Sequence, residues 1–323
     1  MCDLADAILE CAPWQRMEEG EIFALRPEPD SEVYFVSVMG SAGEHMAVAY
    51  YPGIESFMKF RACQSGDLSP QAGMEEILLN GHLQAGFETR QNLEPAEKAA
   101  LKSAKRTYRG LWPVFRSHRA ARVPWPVDAQ EAGILTKLMA ATLPVLDRVA
   151  AGEDLLRPYD EDEFFLRGPH GADGTCRLAD LPVPHHRLQA LLDSDALDGV
   201  PRAKLHAEME LALMLSPISD VPRGEAPYFP FMLMLVDAEG GNVLGVELLS
   251  TADGVDAALV RLPEAITRVI RQGGVVPSSI AVRHPVLLSA MLTYGRLHGI
   301  KCEARPFLPS TAGALASLHQ FMR

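Results

Sequence analysis

No two of the five cysteines, Cys2, Cys11, Cys63, Cys176 and Cys302, stand as Cys-x-x-Cys, and their number is odd. This argues against a disulfide framework or a zinc knuckle and predicts free thiols in a reducing compartment. No apolar run approaches the roughly 18 residues that cross a bilayer, and Met1-Cys2-Asp3-Leu4-Ala5-Asp6 lacks the basic start of a signal peptide. The expectation is a soluble, cytoplasmic protein with no membrane partner. There is no Gly-x-Gly-x-x-Gly and no P-loop, and Ser37, Ser250 and Ser289 lack a nucleophile-elbow context. Dinucleotide chemistry, nucleotide hydrolysis and serine hydrolysis are therefore unsupported. His185 and His186 are too close in sequence to face one ion readily, and His170, His206 and His284 show no His-x-x-x-His spacing. No metal or cofactor is expected from these histidines, and no internal repeat or low-complexity tract is visible.

What the 323 residues do contain is 48% hydrophobic side chains, enough for two ordinary cores. The formal net charge of −12 works against non-specific binding of phosphates. One stretch runs the other way. From Lys98 to Val127 there is no acid and there are eight cations, so the rest of the chain is eight charges more negative than the whole. Tyr108, Trp112, Phe115 and Trp125 are interleaved with these cations. Positive charge alternating with aromatic rings is the combination that tracks a phosphate backbone while stacking bases. The candidate binding residues are Lys102, Lys105, Arg106, Arg109, Trp112, Arg116, Arg119 and Arg122, with nucleic acid as the partner. The competing reading buries the aromatics and pairs the arginines with the acidic surplus, including the run at 153–163.

Along the chain, a leading helix is expected at 5–14, then a meander of strands at 21–26, 32–39 and 45–51 separated by Pro, Asp and Gly. Helices at 53–63 and 70–80, a strand at 82–88, a basic helix at 95–107, a strand at 112–117 and a long amphipathic helix at 129–151 follow. This predicts an α+β domain over 1–152. The charge density of 153–163 predicts a solvated linker, and 164–323 a second, α/β domain. In it, 164–167 and 175–178 flank a hairpin signal, 186–192 suits a short helix, and 206–215 alternates as a strand although its residue types also suit a helix.

The run Phe231-Met232-Leu233-Met234-Leu235-Val236 is apolar at every position, as a strand buried on both faces must be, and Gly240-Gly241 turns it into a second strand ending at Leu249. Helical spacing then runs from Val255 to Ile270 through Pro263, which is expected to kink or restart the helix before Gly273-Gly274 stops it. Strand 279–282, helix 285–298 and strand 300–304 follow, with a closing helix at 312–322. Leu233, Leu235, Ile266, Ile280 and Leu288 are the predicted core. This order resembles the ribonuclease H-like fold of integrase and transposase cores. That resemblance implies carboxylates on the first strand, the fourth strand and a later helix, holding two Mg²⁺ ions around a phosphodiester. Asp237 ends a strand, with Glu264 or Asp256 on the following helix; if the first strand is 206–215, Glu210 or Glu208 is the relevant acid. The later strand ends in Arg283-His284, and no Asp or Glu lies between Ala304 and Arg323. The hairpin turn accounts for Asp237, and edge-strand solubility for Glu208 and Glu210, without any ligand.

Three phrases carry a second resemblance. They are Tyr34-Phe35-Val36-Ser37-Val38-Met39-Gly40 with Tyr51-Pro52-Gly53, then Arg109-Gly110 with Trp112-Pro113-Val114-Phe115-Arg116, then Pro227-Tyr228-Phe229-Pro230 with Val236-Asp237. Over most of its length the chain resembles a bacterial family of two tandem domains of unknown function, which implies an arrangement and no reaction. The expected function is a non-enzymatic interaction or regulatory protein with a catalytically silent ribonuclease H-like domain. The alternative is a divergent Mg²⁺-dependent nuclease or phosphodiesterase using Asp237 with Glu264 or Glu210.

Overall fold

The computed structural model describes residues 1–184, 189–203, 207–222 and 225–321, except the side chains of Gln71 and 319–321. Among these it has two sheets and nine α-helices, in two compact units, Met1–His185 and His186–Arg323. The expected helix at 186–192 falls partly outside the described residues, as do His185, His186 and His206; 189–192 form no helix.

The first unit is a nine-stranded sheet. Its strands are β1 (Glu21–Leu25), β2 (Tyr34–Met39), β3 (Met46–Pro52), β4 (His82–Thr89), β5 (Leu111–His118), β6 (Trp125–Pro126), β7 (Arg157–Pro158), β8 (Glu163–Arg167) and β9 (Asp173–Arg177). Their order is β6-β5-β4-β3-β2-β1-β8-β9, with β7 pairing β1 off this path; β1 and β8 are parallel and the other pairs antiparallel. Alternation along each strand sorts side chains to two faces. One face, with Phe23, Val36, Val48, Tyr50 and Phe87, is covered by α1 (Cys2–Cys11) and α5 (Ala129–Ala150). Trp14 packs here, its ring 5.4 Å from that of Phe87. The other face, with Ile22, Phe35, Ala49 and Tyr51, is covered by Phe57 and Phe60 of α2 (Gly53–Gln64), beside α3 (Pro70–Leu79).

Here the structure corrects the expected domain boundary. Residues 153–163 are not a linker and 164–184 do not belong to the second domain. Leu155 is buried in the first core, β7 pairs with β1, and Phe164 is only 1% exposed. The Phe164 ring stands edge-on to Phe35 and Phe57, 5.5 and 5.2 Å away, and those two rings stack at 4.0 Å. Burying that aromatic outweighs the solvation of the acids around it, because an edge-to-face cluster adds about 1 kcal/mol beyond the area it hides.

The second unit is a five-stranded sheet of order β12-β11-β10-β13-β14, with β10 (Glu208–Leu215) at its centre. β10, β11 (Phe231–Asp237) and β12 (Val243–Leu249) form an antiparallel meander, and β13 (Ser279–Val282) and β14 (Lys301–Ala304) run parallel to β10. The helices are α6 (Val255–Val260), α7 (Leu262–Gly273), α8 (Pro285–His298) and α9 (Pro309–Phe321). Pro263 sits in the first turn of α7, so it restarts the helix where its missing N–H costs nothing. Gly274 and Gly299, at φ 70° and 66°, end α7 and α8 in the left-handed conformation that a side chain would strain. Of the predicted core, Leu233, Leu235, Ile266 and Ile280 are fully buried, but Leu288 is half-buried and Leu287 takes the inward place. The face of α8 runs Leu287, Met291, Tyr294, His298, one residue out of phase with the expected one.

Leu235→Ala is expected to cost about 2–5 kcal/mol in chemical denaturation, as for other deeply buried leucines. A cost under about 1 kcal/mol would contradict its position at the centre of the sheet.

Candidate functional site

The basic segment begins with α4 (Pro95–Ser103), which is closed at its start by a Glu94–Glu97 capping box. Past its end Lys105 adopts φ 55°, an uncommon conformation for a side-chain-bearing residue, and the chain turns back toward α1. Arg106 there pairs with Asp3 and, at 3.6 Å, Asp6. On β5 the Arg116 guanidinium donates to Glu97 at 2.9 Å and Glu88 at 2.6 Å; the Glu97 side chain is 5% exposed, which makes this a closed internal triad. Arg119 donates to Glu131 at 2.9 Å and Asp128 at 2.8 Å, the capping box of α5. Trp112 is half-buried, packed with Tyr108 at 5.5 Å over the small cluster of Leu93, Leu101 and Val114, with Arg90 lying 5.8 Å from its ring.

The acids that answer Arg106, Arg116 and Arg119 are thus Asp3, Asp6, Glu88, Glu97, Asp128 and Glu131. Acids of the 153–163 run meet Arg61, Arg148, Arg157 and Arg177. Lys98, Lys102, Lys105 and Arg109 are exposed. Arg122, like Arg116 and Arg119, is engaged by neighbours within the chain.

The candidate carboxylates of the second unit do not meet. Glu210, on the central strand between Val236 and Ala281, is 1% exposed, and its Oε2 accepts the backbone N–H of Thr311 at 2.7 Å. Thr311 lies in the first turn of α9, which carries no acid of its own. A carboxylate placed there complements the free N–H groups and the positive end of the helix dipole. Glu208, one row away on the same face, meets Arg305, which also holds Glu303 at 3.1 Å. Asp237 belongs to the hairpin turn, its Oδ2 accepting Gly240 N–H at 2.8 Å. By strand alternation Asp237 stands on the sheet face opposite Glu210. Glu264 is exposed and pairs with Arg268. Gly273 of α7 packs by Leu235 and Leu244, so the C-terminal end of that helix is the one at the Asp237 turn. Glu264 therefore lies nine residues back, about 13 Å along the axis. Among the described residues no three His, Cys, Asp or Glu side chains are placed to hold an ion. No helix of the described residues is long and apolar enough to cross a membrane.

One cluster lacked any signal in the sequence. His82 and His118 face each other across β4 and β5 with rings stacked at 3.9 Å, and Tyr51 lies 4.9 Å from His82 on its other side. His82 Nδ1 donates to the Asn80 carbonyl, and His118 Nε2 donates to Gln84 Oε1 at 2.6 Å. Gln84 Nε2 continues the chain to His45 Nε2. Burial lowers His82 to about 4; burial first, then the charges of His82, Arg116 and His45, lowers His118 to about 2. Both rings are neutral at pH 7, and only β-sheet register brings them together.

Residues 1–167 match the family model of a domain of unknown function, DUF7309, and residues 197–319 match that of a second, DUF6930. No curated protein matches the chain.

Removing Arg116 leaves Glu97 buried without its cation, so Arg116→Leu is expected to destabilise by about 3–5 kcal/mol. The exposed Lys102→Gln should change stability by no more than about 0.5 kcal/mol in the same denaturation series. The histidines set an acid limit. An unfolded chain takes up protons on His82 between about 6.5 and about 4 that the folded one refuses. Stability is therefore complete above that window and falls as pH drops through it. His82→Phe with His118→Phe should flatten the decline in denaturation midpoint over this range; an unchanged decline would place its origin elsewhere.

Proposed function

We propose, from the premise that the chain belongs to the DUF7309 family, that it is a non-enzymatic interaction or regulatory protein whose second unit is a ribonuclease H-like module without a catalytic metal site. A three-strand meander followed by two strands parallel to its first, each reached through a helix, supports that module. The observation that carries the silent reading is the use made of Glu210. The one acid at the middle of the central strand is closed from solvent and committed to the first turn of α9. Glu208, two residues along the same strand, and Glu303, in the same row two strands away, are bridged by the guanidinium of Arg305, which supplies the positive charge between them. Where the fourth strand ends, Arg283 and His284 follow, and the His284 ring caps α8 by accepting Val286 N–H at 3.2 Å. Each group that would serve a two-ion mechanism already has an internal structural partner.

The test is cleavage of single- and double-stranded DNA and RNA in Mg²⁺ or Mn²⁺. No activity above that of an Asp237→Asn, Glu264→Gln protein is expected. Metal-dependent cleavage that Asp237→Asn abolishes without lowering the melting temperature would overturn the reading in favour of a nuclease.

For an interaction surface, the exposed cations Lys98, Lys102, Lys105 and Arg109 favour a polyanion such as single-stranded nucleic acid. Four cations limit the slope of log affinity against log salt to about 3 for a single strand, whereas all eight would give about 5 to 6. A slope of 3 or less, with binding reduced by Lys102→Glu and Lys105→Gly, is the expected result. The glycine removes a charge while relieving the positive φ.

A further inference from the structure

The second unit contains a cavity of about 700 Å³ that none of the candidate residues on the sheet touches. It lies between the segment Gln189–Ala196 and α7, with Tyr294 of α8 in its floor. Its volume falls in the range of small-molecule sites. Val260, Pro263 and the Tyr294 ring make one apolar side, and Leu191 and Leu192 face them. Leu191 is 97% exposed, an apolar side chain that the described residues leave uncovered.

Acceptors predominate on one side of the cavity. Thr267 donates its hydroxyl proton to the Pro263 carbonyl at 3.1 Å. The Tyr294 hydroxyl, 2.8 Å from Thr267 Oγ1, must then be the donor in that contact. This leaves the Tyr294 oxygen with a lone pair to accept and no proton to give. Asp193, Asp195 and Glu264 line the rim. The two lining arginines are turned onto backbone carbonyls, Arg271 to Ala196 at 2.9 Å and Arg261 to Ser250 at 3.0 Å. Asp193 and Asp195 are in no ion pair among the described residues. The segment is held in place by Arg271, which donates to the Ala196 and Asp198 carbonyls. The acceptors are thus presented on a fixed frame, which lowers the ordering cost of binding.

We infer that this cavity binds a primary alkylammonium, its aliphatic stem between Leu192 and Pro263 and its NH₃⁺ among Asp193, Asp195, Glu264 and the Tyr294 oxygen. Three donors on a compact cation match the acceptors that Asp193, Asp195, Glu264 and Tyr294 present. The chain's net charge of −12 favours the approach of a cation. A free aliphatic amine and the side chain of a lysine in a peptide share this chemistry.

Titration of the full-length protein, followed by NMR chemical shifts, separates the possibilities. The probes are n-pentylamine, n-pentanol and the peptide acetyl-Gly-Lys-Gly-amide. Pentylamine is expected to bind at least ten times more tightly than pentanol. Asp193→Asn with Asp195→Asn is expected to weaken pentylamine about 5-fold or more, the scale of a lost rim charge. Asn keeps the carbonyl that accepts Asp195 N–H at 2.9 Å from residue 193, so the variant removes charge while preserving the turn. Binding of the peptide as tightly as pentylamine would identify a lysine side chain as the source, and pentylamine alone a free amine. Equal binding of pentanol and pentylamine, no binding of either amine-bearing probe, or an amine affinity unchanged in the double variant would overturn the assignment.

Discussion

A carboxylate cannot be left in the middle of a sheet without a partner, and the second unit is arranged around that constraint. Glu210 stands on β10, the strand from which both halves of the sheet extend, and it is closed from solvent. Burial of an uncompensated charge costs several kcal/mol, so something must come to it. What comes is the first turn of α9, through Thr311 N–H, with Ser310 tied to the Ala238 carbonyl beside it. Once the helix start is pinned, its apolar residues fall over Met232, Met234, Val236 and Ala281 and close that face of the sheet. The same contact commits the Glu210 carboxylate to the start of that helix.

The first unit handles charge in the same way. In sequence the basic stretch at 98–127 looks like a separate cationic surface, yet its arginines on β5 and beside it are neutralised by acids from α1, β4, α4 and the start of α5. Arg116 ties β5 to β4 and to the first turn of α4, and Arg119 completes the cap of the longest helix. Lys98 and Lys102 on α4, Lys105 beyond its end and Arg109 are the most exposed cations of the stretch. The dipolar sequence thus folds into a molecule whose opposite charges are paired locally, leaving a smaller cationic face than the composition suggests.

Much of the fold was legible because local patterns dictate it. A strand apolar at every position, as in β11, has only the middle of a sheet to occupy, and Asp237 with Gly240-Gly241 specifies the turn that follows. The alternation of Met209, Leu211, Leu213 and Leu215 marked β10 in spite of residues that also suit a helix. What was not legible depends on distant pairing. Phe164 reads as the start of a new domain beside an acidic run, and only the parallel pairing of β8 with β1, some 140 positions earlier, shows where it is buried. Arg106 finds Asp3 across 103 residues. His82 and His118 stack because β4 and β5 pair in one register, which no spacing announces. Leu288 was misjudged for Leu287 because neighbouring leucines leave the phase of a helix ambiguous. The cavity at Tyr294 exists only because an irregular segment crosses α7.

The central claim is that Glu210 is a structural acid that holds α9 onto the sheet. Hydrogen exchange at the Thr311 amide tests it most directly, comparing the wild type with Glu210→Ala at neutral pH with and without Mg²⁺. The account predicts a Thr311 amide protected in the wild type, protection lost in the variant together with that of the following turn of α9, and no response to Mg²⁺. A Thr311 amide equally protected in both proteins, or one released when Mg²⁺ is added to the wild type, would contradict it.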